Sequence, residues 1–452
     1  LARTGTLKGG LNTAFARLSA AAQSLGEAYP EAGLVRIDAR MVHEAGGSDA
    51  QELAALIASA VDTLRRLDNR TDISALIPRM SFALALDGNY GLGVAKLRAA
   101  RRLWARILDA MDHQAVPMRL QAVSSARILS RYDAWTNMLR NTAAAFAGAV
   151  GGADIMTIRP FNEALGIPEE LGRRIARNTQ IIAMEESQLG RVADPTGGAW
   201  FTETFADDLA EAAWKEFQTI EAEGGYAEAL VSGAFQKRIA DVREARAKDI
   251  ARRKVPITGV SEFPLLDEIT APVADMPAVT PKDGVSAEGF AHFVKVDLPA
   301  EEGDTTAESL PRIRLAEDFE ALRDAASAAP KRPSIFLATL GPIAEHNART
   351  DFARNLFAAG GLDATQPPVP PQSVSEAVAA FKASGTRIAC ICGADARYED
   401  EAAEIAKALK AAGADHVWLA GKFEGDGIDS NIFMGCDVLH TLKLAHTTLG
   451  VS

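Results

Sequence analysis

At 452 residues and a net charge of −12, the chain is long enough for two or three domains, each with a core of its own. Lys and Arg are scattered among carboxylates, which argues against nucleic acid or an anionic membrane as partner, and no apolar run reaches the length of a membrane span. The three cysteines, Cys390, Cys392 and Cys436, form neither a zinc set nor a disulfide framework, so a reducing cytoplasm is the expected compartment.

The opening LARTGTLKGG lacks the apolar core of a secretory signal and does not begin with Met, so a cut N-terminus is expected. Residues 11–29 are Ala-rich and periodic, a helix ended near Pro30, and LVRIDA (34–39) reads as a short strand. Met41-Val42-His43-Glu44-Ala45-Gly46-Gly47 takes the end of that strand and the loop after it, where barrel enzymes place their chemistry. A second unit runs from 72–86 into a helix over 93–108, with Leu97, Ala100, Leu103, Trp104 and Ile107 on one face. The basic residues of 95–104 read as a solvated face. A third unit starts at 117–125, continues through a helix around 132–149 and reaches the strand ADIMTI (153–158). Such alternation indicates a parallel sheet covered by helices, with about half the strands of an eightfold barrel.

Further on, Ile175, Ile181, Ile182 and Leu189 make an apolar stripe at helical spacing, until Asp194-Pro195 and Gly197-Gly198 stop the helix. Residues 205–223 are amphipathic, with Phe205, Leu209, Ala213, Phe217 and Ile220 inward, and another helix lies near 226–252. Residues 265–333 turn rich in Pro, Gly and acidic groups, an extended connector. Beyond it come a strand (334–340), a helix (349–359), a Pro-rich loop (367–372), a helix (374–383), a strand (386–393), a helix (400–412), a strand (415–421) and a closing helix (436–448). This is a doubly wound alternation, in which Cys390 and Cys392 read as core.

By pattern alone, 174–204 is a capped helix with solvated charges. Its wording is Arg174-Ile175-Ala176-Arg177-Asn178-Thr179-Gln180, then Glu185-Glu186-Ser187, Arg191-Val192, Asp194-Pro195 and Gly197-Gly198. This resembles a signature of the methylmalonyl-CoA mutase family, and AKLRAARRLW (95–104) is similar to that family too. The resemblance runs from about Leu34 to the C-terminus. It implies an α/β chain with a (β/α)8 TIM-type barrel over 1–264, for which the strand count leaves either a missing N-terminal part or an incomplete barrel. A connector over 265–333 then leads to a flavodoxin-like cobalamin-binding-type domain over 334–452.

In the family the reactive bond belongs to adenosylcobalamin, and the protein must place a histidine below cobalt and keep the acyl-CoA dry. The resemblance puts that histidine in an Asp-x-His-x-x-Gly loop after the first strand of the C-terminal domain. With His346 as ligand, the Asp position holds Ala344 and the Gly position Arg349. With the register set from the following helix, the three positions are Ile343, Glu345 and Ala348. The Ser-x-Leu that shields the nucleotide tail reads Cys392-Gly393-Ala394, and the Gly-Gly that leaves it room reads Ala420-Gly421.

In the barrel, the family's Tyr-His before Glu-Ala-Gly falls on Arg40 and Met41, and Met cannot donate a hydrogen bond. His43 lies two residues on, ~7 Å along a strand. The Arg-x-His-x-Gln-Thr-Ser patch keeps Arg119 and Ser125 as substrate-binding candidates, whereas Gln121 and Val123 replace its His and Gln. Glu185 matches the Glu that holds the adenosyl ribose.

A scaffold kept and chemical groups lost imply a non-catalytic chain in a heterodimer with a homologous catalytic large chain. That partner would carry adenosylcobalamin and acyl-CoA; this chain would hold no cofactor, metal or catalytic residue. Two alternatives remain: a divergent live mutase with His346 as ligand and His43 in the barrel, and an acyl-CoA-binding regulatory module compatible with Arg119 and Glu185; Gly421, His346 and Glu185 are the cofactor-binding candidates.

Overall fold

The computed structural model describes residues 1–274 and 303–451. It divides into two units, the first made of Leu1–Leu129, Asn137–Glu244 and Ala271–Arg314, the second of Ser130–Thr136, Ala245–Thr270 and Leu315–Ser452. Both are mixed α/β and built on a parallel sheet. No described helix is long and apolar enough to cross a membrane.

The first unit holds four parallel strands in sequence order, Val35–Asp38, Met80–Leu86, Arg119–Ser124 and Ile155–Thr157. Met80–Leu86 is buried along nearly its whole length, as an inner parallel strand must be. The helix Asp49–Leu67 covers it, its start fixed by a capping box in which Ser48 and Gln51 satisfy each other's backbone N–H. Apolar and buried over most of its surface, it packs on the helices Tyr90–Ala110 and Trp200–Ala222. The stripe Leu97, Ala100, Leu103, Trp104 and Ile107 points into this core, where Trp104 meets Phe82 at 4.8 Å between ring centres. One expected stripe behaves otherwise. Ile181 and Ile182, on the helix Glu170–Glu185, are exposed, and Leu189 lies beyond its end in the short turn Leu189–Arg191.

The second unit carries five parallel strands in the spatial order Ser430–Ile432, His416–Ala420, Ile388–Cys392, Ser334–Thr339, Asp363–Thr365. This is a doubly wound order, whose switch point lies between Ser334–Thr339 and Ile388–Cys392. Alternate residues serve two cores. Ile335, Leu337, Cys390, Cys392 and Trp418 pack with Phe357 and Leu442 on one face, and Phe336, Ala338, Ile391 and Leu419 with Phe381 and Ile405 on the other. The edge strands Asp363–Thr365 and Ser430–Ile432 were not expected, because three mostly polar residues carry no strand pattern. Within 265–333 the helix Glu317–Ala328 forms; residues 275–302 of that expected connector lie outside the described residues.

Candidate functional site

At the carboxyl ends of the first unit's strands, the loop after Asp38 folds back as a short helix, Arg40–Glu44, instead of prolonging the strand. Asp38 causes this turn: its Oδ1 accepts the backbone N–H of Arg40 at 3.2 Å and the side-chain Nε–H at 2.8 Å. Burial alone would raise the Asp38 carboxyl, yet the hydrogen bond and charge of Arg40 hold it below its ordinary value. Arg40 is thereby spent on its neighbour. Met41 lines a cavity of about 120 Å3 with Arg3, Arg40, Glu44 and Arg159.

The helical turn redirects His43. Its ring is wholly buried, with Nε2 2.8 Å from Ser125 Oγ and Nδ1 3.5 Å from Glu52 Oε2. Glu52 Oε1 accepts the N–H of Ala85 at 2.7 Å, and Lys96 makes an ion pair with its other oxygen. The Lys96 ammonium also donates to Asp49 Oδ1 at 2.6 Å and to the Ala85 carbonyl at 2.7 Å. Lys96, expected on a solvated face, is fully buried, because two carboxylates and a carbonyl replace its water. Burial pushes the Glu52 carboxyl up to about 7, against the pull of Lys96.

His43, Asp49 and Glu52 present ligand atoms close enough together for a cation, and the Lys96 ammonium takes that place. Ser125 to His43 to Glu52 has the order of a nucleophilic relay. What it lacks is access, since His43 and Ser125 are both wholly buried. The cluster ties loops together instead: buried Arg127 donates to the carbonyls of His43 (2.8 Å) and Gly47 (3.0 Å), and its N–H bonds Ser125 Oγ at 3.1 Å.

The remaining candidates scatter. Arg119 is exposed at the amino end of the strand that leads to Ser125, ~20 Å away at the usual rise per residue. Val123 is buried within that strand, and Glu185 is exposed at the end of its helix. Signature residue Asp194 accepts two hydrogen bonds from Arg98 Nη1, at 2.7 and 2.8 Å. Sequence reasoning missed Glu52, Lys96 and Arg127; only the capping residues before Glu52 hinted at a buried helix start.

In the second unit the loop expected to carry His346 is helical. The helix Ile343–Ala358 begins directly after Pro342, well before the expected start, and places His346 in its first turns, buried, with Nδ1 3.1 Å from the Gly341 carbonyl. Among the described residues no carboxylate bonds the ring; Glu345 instead pairs with Arg397 at 2.7 Å. Gly421, at a φ of +154°, closes the strand His416–Ala420.

A sequence model of the family described as methylmalonyl-CoA mutase matches residues 3–334. The chain belongs to the methylmalonyl-CoA mutase family. This is a family of isomerases. Across its full length the chain is 42% identical to the methylmalonyl-CoA mutase small subunit of Streptomyces virginiae, covering 69% of that protein. It is 41% identical over 92% of its length to a probable small subunit from Mycobacterium tuberculosis, and 35% identical over 94% to the small subunit of Propionibacterium freudenreichii subsp. shermanii. It covers 65% and 64% of those two relatives, so it spans about two thirds of the proteins it resembles.

Proposed function

We propose that the chain is the non-catalytic small subunit of an adenosylcobalamin-dependent methylmalonyl-CoA mutase, paired with a homologous large subunit that binds cofactor and acyl-CoA. On this reading the four-stranded sheet is part of a (β/α)8 barrel, the five-stranded sheet is a flavodoxin-like domain of the cobalamin-binding type, and the assembly is cytoplasmic, in keeping with three free thiols. The heterodimer interconverts methylmalonyl-CoA and succinyl-CoA; this chain supports the catalytic partner.

The observation that carries the reading is the state of the barrel-end groups. A thioester oxygen needs a hydrogen-bond donor that reaches it. Met41 has none, Arg40 is held by Asp38, and His43 is sealed between Ser125 and Glu52. The test is a spectroscopic titration of the purified chain with adenosylcobalamin, followed at the bands that report displacement of the cofactor's own base. No displacement is expected. A saturable change abolished by His346→Ala would overturn the proposal.

A further inference from the structure

The resemblance assigns two short segments to the cofactor's nucleotide tail, Cys392-Gly393-Ala394 and Ala420-Gly421, which end adjacent strands at the carboxyl edge of the second sheet. Such crevices are where doubly wound sheets take ligands. Here the space between the two glycines holds a side chain of the same protein. A Cβ at Gly393 would lie 3.3 Å from Tyr398 Cε1, and one at Gly421 would lie 3.0 Å from its Cε2, so one ring is clasped from both sides. The phenol oxygen accepts the N–H of Gly393 at 2.9 Å and donates to the carbonyl of Ala420 at 2.7 Å.

Tyr398 is 1% exposed and belongs to the core formed by Leu340, Ile391 and Leu419. It enters from the first residue of a five-residue π-helical turn, Tyr398–Ala402, an irregularity that often marks a functional position. The mouth is bridged as well. Arg349, at the family's loop glycine when His346 is aligned as the ligand, lies beside Gly421 and pairs with Asp395 at 3.0 Å, and Arg397 pairs with Glu345 at 2.7 Å. A hollow of about 370 Å3 at the same sheet edge is lined by Gly341, Gln372, Ser373 and Arg397, not by Tyr398 or either glycine.

We propose that Tyr398 is a built-in occupant of the tail slot: its ring stands where the aromatic base of a corrinoid tail would lie, and it holds the C-terminal domain in its folded shape without ligand. The inference rests on the reading of this chain as the non-catalytic subunit. It adds that the slot persists and is filled, not collapsed. Apolar cavities opened by truncation accept aromatic guests, and this one keeps a backbone donor and acceptor at its end.

The test uses the full chain, the variants Tyr398→Ala and Tyr398→Phe, and 5,6-dimethylbenzimidazole as probe, read by calorimetric titration and by the shift in thermal midpoint. Wild type and Tyr398→Phe are expected to take none. Tyr398→Ala should bind saturably, at concentrations about tenfold or more below the highest at which wild type shows no binding, and regain thermal stability with the base present. If Tyr398→Ala does not fold alone, recovery of folded protein when it is refolded with the base supports the proposal, and no recovery overturns it. A folded Tyr398→Ala that ignores the base, or a wild type that binds it equally, also overturns it. Those results leave the adenosylcobalamin titration blank, whereas failure of the parent reading appears as base displacement in wild type.

Discussion

His43 and Ser125 are separated by 82 residues in the chain, yet His43 Nε2 and Ser125 Oγ stand 2.8 Å apart in a site from which water is excluded. Behind the histidine come Glu52, Lys96 and Asp49, so loops from two strands and two helix starts converge on one charge cluster. In a low-dielectric interior, its members are worth little as a set compared with what any one costs when removed.

Lys96 is the sole ammonium in this cluster, and Lys96→Met strands Asp49 and Glu52 together. Removing one partner of a buried pair costs roughly 3–5 kcal/mol. Urea unfolding should show a much lower midpoint, part of which returns when Glu52→Gln is added. An unchanged midpoint for the single variant contradicts the account.

The pH response follows from Glu52, whose carboxyl rises from 4.5 to about 7 through burial. The folded state therefore holds this proton more tightly than the unfolded chain. Below 4.5 both forms are protonated; from there to about 7 the group's contribution to stability is lost as pH rises, by about 3 kcal/mol in all. Thermal midpoints between pH 4.5 and 7.5 should fall more steeply with pH in wild type than in Glu52→Gln. Parallel curves would remove Glu52 as the source.

Arg119 is exposed at the amino end of its strand, far from Ser125, and Glu185 is exposed at the end of its helix, so neither is expected to matter to acyl-CoA recognition. In the complex reconstituted with a large subunit, Arg119→Ala and Glu185→Ala are expected to leave KM unchanged and to alter stability by within about 0.5 kcal/mol. A several-fold rise in KM for either one would revive the regulatory-module alternative.

Ile181, Ile182, Met184, Trp200 and Phe201 all face solvent, and Trp200 is 88% exposed. Apolar exposure in two short runs, 181–184 and 200–201, promotes association. The purified chain alone should self-associate in light scattering, and Ile182→Ser combined with Trp200→Ser should reduce the mean mass without changing the fold. A monodisperse wild-type monomer is the contrary result.

What the sequence makes legible is what repeats. Leu97, Leu103 and Trp104 recur at helical spacing, and the buried strands of both sheets are continuous apolar runs, so two parallel α/β sheets can be read from pattern. The sites resist such reading. A lysine in a basic stretch looks solvated until Asp49 and Glu52 arrive from another helix, and His43 looks like a strand-end residue until Asp38 turns the chain. Tyr398 sits in the run Asp395-Ala396-Arg397-Tyr398-Glu399-Asp400-Glu401, which reads as a solvated helix start; only the fold reveals two glycines on either side of its ring. Ile181 and Ile182 show the converse, since helical spacing says which residues share a face but not whether anything covers it.

All three cysteines lie in the second unit, buried, and burial pushes the Cys390 and Cys436 thiols up from their ordinary range. A thiol of that kind is nearly inert to alkylating reagents until the structure around it opens. The native protein thus comes with its own chemical clock. Mass added by a pulse of iodoacetamide counts openings of the second unit alone, while the first unit, which has no thiol, contributes nothing to the signal.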